Sequence, residues 1–381
     1  MSWQTPLLIP VVCSAAYWLL TAWAVSRFFR RRVEARPPGA PRPRVSLIKP
    51  VCGLEKGLEE NLATALAQDY PDYEVVYSIQ RPDDPARPLL ERLKARAPER
   101  VKVVLDESCA GPNGRLCNIL NATKRADGEI LVYSDSDMYL EPGYLEDVTA
   151  PLTDPKVGVA CTMYRAQGAS WLAETLELLS LNSDFVPAMI FAKETKAASA
   201  CPGASQAIRR DTLARIGGLE PMADSLVEDY DLGVAVEKAG LGIAFVPVVA
   251  RTGIDLSGWT PWWRHQVYWD QNTRAANPVG HFFTLLVRGV PFAVLYCLLG
   301  GPGGLAWLGA ALAVRLGTFA HCARLLGDAE GLAALWLLPV RDSVGLAVWA
   351  ASFAQRNVHW KGRVFTLRGN KMVEVSAGAP V

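Results

Sequence analysis

From Leu7 to Val25 the chain runs 19 residues, LLIPVVCSAAYWLLTAWAV, without a charged side chain. That is close to the roughly 20 residues a helix needs to cross the hydrocarbon core of a bilayer. Arg27, Arg30, Arg31, Arg32, Arg36, Arg42 and Arg44 follow, opposed only by Glu34. A cleaved signal peptide carries its positive charge ahead of the apolar run, so this order predicts an uncleaved anchor over residues 1–26. The arginines then predict that the following chain is cytoplasmic, at the inner membrane if the source is bacterial. The Pro- and Arg-rich residues 27–43 read as a linker.

A second apolar region covers residues 281–355. Gly289–Val314 is uncharged but interrupted by GGPGG at 300–304, and Gly331–Ala354 is interrupted by Arg341 and Asp342. The basic tail, residues 356–381, carries Arg356, Lys361, Arg363, Arg368 and Lys371 and should also face the cytoplasm. An even number of C-terminal crossings is therefore expected, and two fit best. Half of all residues are hydrophobic and one fifth are charged. The near balance of 39 Lys+Arg against 38 Asp+Glu argues against nucleic-acid binding. Eight cysteines form no CxxC pair and four histidines no HxxxH. Neither a zinc site nor a disulfide framework is predicted, and the bulk of the chain reads as reduced and cytosolic.

Residues 44–280 alternate short Val-, Ile- and Tyr-rich runs with segments of helical period. VSLI, YEVVYSI, VKVVL and EILVYSD are separated by stretches such as GLEENLATALAQ and RLCNILNATKRA. That rhythm predicts an α/β domain with a largely parallel sheet, whose ligands bind beyond the carboxyl ends of the strands. Three such places carry acids. YEVVYSI leads into Gln80, Arg81, Pro82, Asp83 and Asp84, which also reads as a solvated turn with an Asp cap. EILVYSD ends in Asp135, Ser136 and Asp137; residues i and i+2 of an extended chain point the same way, so two carboxylates can converge on one hard cation. Leu226–Gly240 reads as a helix start with Glu228, Asp229 and Asp231 in its first turn, where acids favour the helix dipole. Ahead of it, Gly203–Arg209 predicts a strand, and Gly217 and Gly218 allow tight backbone near a ligand.

GPNGRLCNIL adds Arg115, able to reach a diphosphate, and Asn113 and Asn118, able to bond a sugar. No GxxxxGK[ST] and no GxGxxG after the first strand are present, which argues against kinase, ATPase and dehydrogenase chemistry. In SGWTPWWRHQVYWDQNTR, residues Trp259, Trp262 and Trp263 predict an interfacial belt. His265, Tyr268 and Trp269 share one helical face and suit a site lining. Trp171–Phe191 is an apolar helix-length stretch interrupted by Asp184 and Pro187, either a core helix or an acceptor entrance.

With these motifs in order, the chain resembles the ceramide glucosyltransferase family, membrane enzymes with a GT-A glycosyltransferase domain. The resemblance runs from the anchor to the tail HWKGRVFTL and rests on QRPDDPA, SDSDM, VEDYDL and a final box before the membrane. It implies that Asp83 or Asp84 contacts the uracil or ribose side of a UDP-sugar. It also implies that Asp135 and Asp137 hold Mg²⁺ or Mn²⁺ against the diphosphate, and that Asp229 is the general base. Arg115, Asn118, Asp135, His265, Tyr268 and Trp269 complete the expected donor site. The final box departs from the family's QxxRW or RxxRW, with His265 in place of Gln or Arg and Tyr268 in place of Arg. Arg264 and Arg274 are candidate substitutes.

The implied activity is inverting transfer from a UDP-sugar to a lipid hydroxyl, with ceramide or a hopanoid-like lipid as acceptor. Alternatives are a hopanoid-type enzyme using UDP-N-acetylglucosamine, a processive polysaccharide synthase, and an inactive nucleotide-binding membrane scaffold. Two C-terminal spans are few for a synthase's export channel.

Overall fold

Four of the Val-, Ile- and Tyr-rich runs become adjacent parallel strands. In the computed structural model, which describes residues 3–197, 201–355, 357–360 and 363–375, these are β1 (Val45–Pro50), β2 (Tyr73–Ile79), β3 (Val101–Leu105) and β4 (Ile130–Ser134). β1, β2 and β4 are buried along their full length, as expected for strands covered on both faces. β5 (Met138–Tyr139), β6 (Val157–Gln167), β7 (Ser205–Arg209) and β8 (Gly242–Gly253) complete an eight-stranded sheet in the order β3-β2-β1-β4-β7-β6-β8-β5. β7 runs antiparallel to both β4 and β6, so the sheet is mixed beyond β4.

The chain moves outward from β1 to β2 and β3, then returns to pair β4 with the other edge of β1. Such a reversal opens a crevice at the carboxyl ends of β1 and β4, where ligands bind in open α/β sheets. The Asp135–Asp137 turn lies there.

One face of the sheet packs Ile48, Val76 and Leu131 against Leu116 and Ile119 of the helix Gly114–Thr123. The same cluster continues into Val25 and Phe28 of the helix Leu8–Arg30 and into Cys322 and Leu326 of the helix Gly304–Leu326. The other face buries Leu47, Val75, Tyr77 and Val132.

Among the described residues, Thr5–Arg30 and Gly304–Leu326 are long and apolar enough to cross a membrane, as the anchor reading expected for the first. In the C-terminal region one helix passes this test, where two crossings were expected. Gly289–Val314 is divided by a turn into helices Gly289–Leu298 and Gly304–Leu326, so its span lies further along the chain. Pro278–Val287 and Gly289–Leu298 form a pair bent by 47°, which counts as a further crossing only if the two halves act as one. Leu338–Ala354 is a 17-residue helix with Arg341 and Asp342 buried and is not among the long apolar candidates.

Those charges are internal. Trp171–Phe191 forms the helix Leu172–Ser180, a π turn Leu181–Phe185 and the start of the helix Val186–Thr195. The turn carries Asp184, whose Oδ1 accepts from Arg315 Nη2 at 2.6 Å and whose Oδ2 accepts from Arg341 Nη1. Asp342 Oδ2 accepts from Arg315 Nε at 2.9 Å.

Three further expectations are corrected. Cys109 and Cys117 are joined as a disulfide, because the turn capped by Asn113 folds the loop back onto the first turn of its helix, with Cα atoms 5.0 Å apart. Trp262 is buried against Ala173 and Leu176 rather than standing in an interfacial belt, while Trp259 is exposed. Gly217 and Gly218, at positive φ, close the helix Arg210–Arg215 by donating to Ala214 and Leu213 carbonyls, the ordinary use of glycine after a helix.

The segment expected as a basic tail is folded. β9 (Asn357–Trp360), β10 (Arg363–Arg368) and β11 (Lys371–Glu374) form an antiparallel sheet in the order β11-β10-β9. Two of its expected charges, Arg356 and Lys361, lie outside the described residues.

Candidate functional site

At the end of β4 the turn Asp135–Asp137 is held from below by Lys49 of β1. Its Nζ donates to the carbonyls of Asp135 (2.9 Å) and Met138 (3.1 Å) and to Ser134 Oγ (3.3 Å). Burial lowers this ammonium to about 8, against the nearby Asp137 and Asp135 carboxylates. A lysine inside an apolar strand was visible in VSLIKP, and only a buried ligand of this kind justifies it.

Asp137 Oδ2 accepts from Thr252 Oγ1 of β8 at 2.9 Å. Its Oδ1 is buried with no hydrogen-bond partner among the described residues. Burial, then Asp135 and Glu55, push this carboxyl up to about 6. Glu55 also accepts from Ser136 Oγ at 3.1 Å. A buried carboxylate oxygen lacking a partner is costly unless something else meets it, and a hard cation fits that need. Asp135 Oδ1 accepts from Arg115 Nε at 2.7 Å. No group of three or more His, Cys, Asp or Glu side chains converges for a metal among the described residues; the turn itself offers the carboxylates of Asp135 and Asp137.

Arg115 binds three partners: Asp135, Glu228 Oε1 through Nη1 (2.6 Å) and the Gly203 carbonyl through Nη2 (2.7 Å). The guanidinium expected to reach a diphosphate thus ties the β4 turn to the helix Glu228–Lys238. Asn113 Nδ2 adds bonds to Glu228 Oε2 (2.9 Å) and to the Ser225 carbonyl (3.0 Å).

Asp229 sits in the first turn of that helix, as predicted. Its Oδ1 accepts from the Tyr230 amide at 2.8 Å, and the Gly203 amide also bonds the carboxylate. Burial, followed by the Glu228 charge, pushes its carboxyl up to about 7, with Arg115 opposing. A carboxyl brought close to neutrality in a cleft is suited to proton transfer.

His265, Tyr268 and Trp269 share one face of the helix Trp259–Ala276. Trp269 Nε1 donates to His265 Nε2 (3.1 Å), and His265 Nδ1 lies 3.0 Å from Glu177 Oε1. Burial opposes charge on the imidazole, but Glu177 holds it above the ordinary value. The Tyr268 ring stacks on His265 with centroids 6.4 Å apart. Burial pushes the Tyr268 phenol up to about 12, with Glu228 and Asp229 near enough to add to the rise.

Other expected donor residues have structural partners. Asp83 is exposed and paired with Arg81. Asp84 is buried and accepts from the Gly53 amide (3.1 Å) and the Ala86 amide (2.8 Å), joining the loops after β1 and β2. Asn118 donates to the Val51 carbonyl (3.2 Å) and accepts from Ser78 Oγ (3.4 Å). Sequence reasoning missed Lys49, Glu55, Thr252 and Glu177, whose roles arise from contacts across the fold.

The family model for glycosyl transferase family 21 matches residues 6–373. Ceramide glucosyltransferase 1 of Caenorhabditis elegans is 23% identical over 206 residues, covering 53% of this chain and 44% of that protein. The ceramide glucosyltransferase of Gibberella zeae is 31% identical over 138 residues, covering 33% and 26%. An N-acetylglucosaminyltransferase of Rhizobium meliloti is 25% identical over 260 residues, covering 63% and 57%. The chain thus spans less than two thirds of each of these curated relatives. Among solved structures, the mannosyltransferase PcManGT from Pyrobaculum calidifontis, in complex with GDP-Man and Mn²⁺, superposes with a TM-score of 0.55 at 22% identity, covering 91% of this chain and 97% of that one. At that identity the likeness concerns the fold, which is the expected GT-A arrangement.

Proposed function

The chain belongs to glycosyl transferase family 21, and from that premise we propose that it transfers a sugar from a nucleoside diphosphate to a lipid hydroxyl at a membrane surface. The observation that carries the reading is the position of Asp229 in a helix first turn that Glu228 and Arg115 tie directly to the Asp135–Asp137 turn. UDP is the proposed carrier and ceramide or a hopanoid-like lipid the proposed acceptor. The ceramide glucosyltransferases among the relatives support a lipid, as do the long apolar helices whose ends share the catalytic domain's core.

Asp229 accepts the proton of the acceptor hydroxyl as its oxygen attacks the anomeric carbon, and a single displacement inverts the configuration. Arg115, bonded to Asp135 and Glu228, keeps the acids of the turn and of the helix in register and offsets part of their mutual repulsion. Asp137 Oδ1 and Asp135 are the proposed ligands of Mg²⁺ or Mn²⁺. Such a cation, when bound, supplies charge neutralisation to the departing diphosphate. The Mn²⁺ in the mannosyltransferase structure supports a divalent ion. His265, Tyr268 and Trp269 are proposed to line the donor side. A neutral Tyr268 in place of Arg leaves this wall without a fixed positive charge.

Asp229→Asn tests the reading, because the amide keeps the shape and loses the proton acceptor. Turnover should fall by about 10² to 10⁴, with binding of UDP little changed. Near-normal turnover in this variant would move the base elsewhere.

A further inference from the structure

The helix bearing Asp229 begins without a side-chain cap of its own, since its N-cap residue is Val227. The chain 143 positions further on fills that role. Asn370, in the turn between β10 and β11, accepts from the Val227 amide at Oδ1 (3.1 Å) and donates through Nδ2 to Asp231 Oδ2 (3.0 Å). Its carbonyl accepts from the Leu226 amide (2.7 Å), and the Met372 amide donates to the Asp224 carbonyl (2.7 Å). Beneath these bonds Leu226, Val358, Phe365 and Met372 bury one another, with Tyr268 against the same cluster. Asp231 is further fixed by Ser225 Oγ at 2.6 Å.

The segment 224–231 is thus gripped from two sides. Asn113 and Arg115 hold it toward the β4 turn, and Asn370 holds it from the far end of the chain. We infer that the C-terminal hairpin, through Asn370, positions the Asp229 carboxylate for transfer. Asn370 touches no reacting atom and acts through the helix start, as the reciprocal bonds of a capping box do within one helix. Misplacement of a reacting group by about 1 Å can cost about 10² in rate, so loosening this turn is expected to lower turnover and leave donor affinity intact. The inference rests on the reading of Asp229 as the base.

The test uses the full chain in detergent, with turnover followed by UDP release from UDP-glucose in ceramide-containing mixed micelles. UDP binding is measured in the presence of Mn²⁺, and amide hydrogen exchange is followed over residues 224–232. Asn370→Ala should lower kcat roughly 10- to 100-fold, change the UDP Kd less than about twofold, and speed exchange at 224–232 but not in the helix Gly114–Thr123. Asn370→Asp should be at least as damaging, because it opposes the Asp231 carboxylate. The double variant Asp231→Asn/Asn370→Asp exchanges donor and acceptor and should restore both exchange protection and kcat. Lys371→Ala removes an exposed ion pair to Asp224 and should leave all readouts unchanged.

Unchanged exchange at 224–232 in Asn370→Ala overturns the inference whether or not turnover is detected. So does parallel loss of UDP binding and protection in both helices with no rescue by the double variant, which marks a merely structural latch. If Asp229→Asn abolishes turnover while Asn370→Ala does not alter it, the positioning role fails and the base assignment stands. Normal turnover in Asp229→Asn removes the base assignment itself.

Discussion

A Cβ on Gly203 would lie 3.0 Å from Oδ2 of Asp229 and 3.1 Å from its Cβ. The glycine amide bonds that carboxylate while its carbonyl accepts from Arg115, so the backbone at 203 shapes the seat of the base from both sides. Gly203→Ala should displace the carboxylate by a few tenths of an ångström or more and lower kcat about 10-fold, with UDP affinity retained. Steady-state kinetics beside UDP titration calorimetry checks this, and an unchanged kcat would show that the seat yields freely.

The raised Asp229 carboxyl gives activity and stability opposite pH trends. A base must be ionised, so kcat/KM should fall about tenfold per unit as pH drops below about 7. The folded-state value lies above the ordinary 3.8, so the protonated group favours the fold; this contribution is full below about 4 and is lost as pH rises through 7. Asp229→Asn should therefore unfold at a higher temperature than the wild type at pH 8 and at a similar temperature at pH 4. Thermal scans at the two values decide the sign.

Divalent-ion dependence is expected from the buried, unpartnered Oδ1 of Asp137. Chelation should abolish turnover, and Asp137→Asn should weaken Mn²⁺-dependent UDP binding by at least about tenfold, or 1.4 kcal/mol. Titration of UDP with and without Mn²⁺ provides the check; full turnover in excess chelator would remove the metal assignment.

Asp184 bridges Arg315 and Arg341, and both guanidinium groups are nearly inaccessible. Asp184→Ala leaves Arg341 without its short carboxylate contact while Arg315 keeps Asp342. Removing one partner of a buried ion pair typically costs about 3–5 kcal/mol, so a large drop in the unfolding temperature in detergent is expected. A change of less than a few degrees would mean that solvent or Asp342 compensates.

The sequence made strands β2 and β3 legible to their end residues, since YEVVYSI and VKVVL are β-branched or aromatic runs bounded by polar turns. Asp135, Asp137 and Asp229 were legible because each follows or opens a periodic element. The carboxylate partners of Arg115 were not legible, because Asp135 and Glu228 lie 20 and 113 positions away. Asn370 carried no local signal, as its effect depends on a hairpin folding onto a distant helix start. Trp262 shows the limit of composition, for an aromatic beside a membrane segment serves equally well in a core. The break at GGPGG was legible from its glycines and proline, whereas the bend between Pro278–Val287 and Gly289–Leu298 had no comparable signal in hydropathy.

Val25 and Phe28 near the end of the first apolar helix, and Cys322 and Leu326 near the end of another, belong to the same packed cluster as Leu116, Ile119 and Leu131 of the sheet and its helix. The first apolar helix is therefore a wall of the enzyme rather than a tether. A recombinant fragment trimmed to residues 44–280 would bare that wall to water and strip Asp184 of both arginines. Such a fragment should precipitate or bind detergent, and useful preparations will need the apolar helices kept in the same polypeptide.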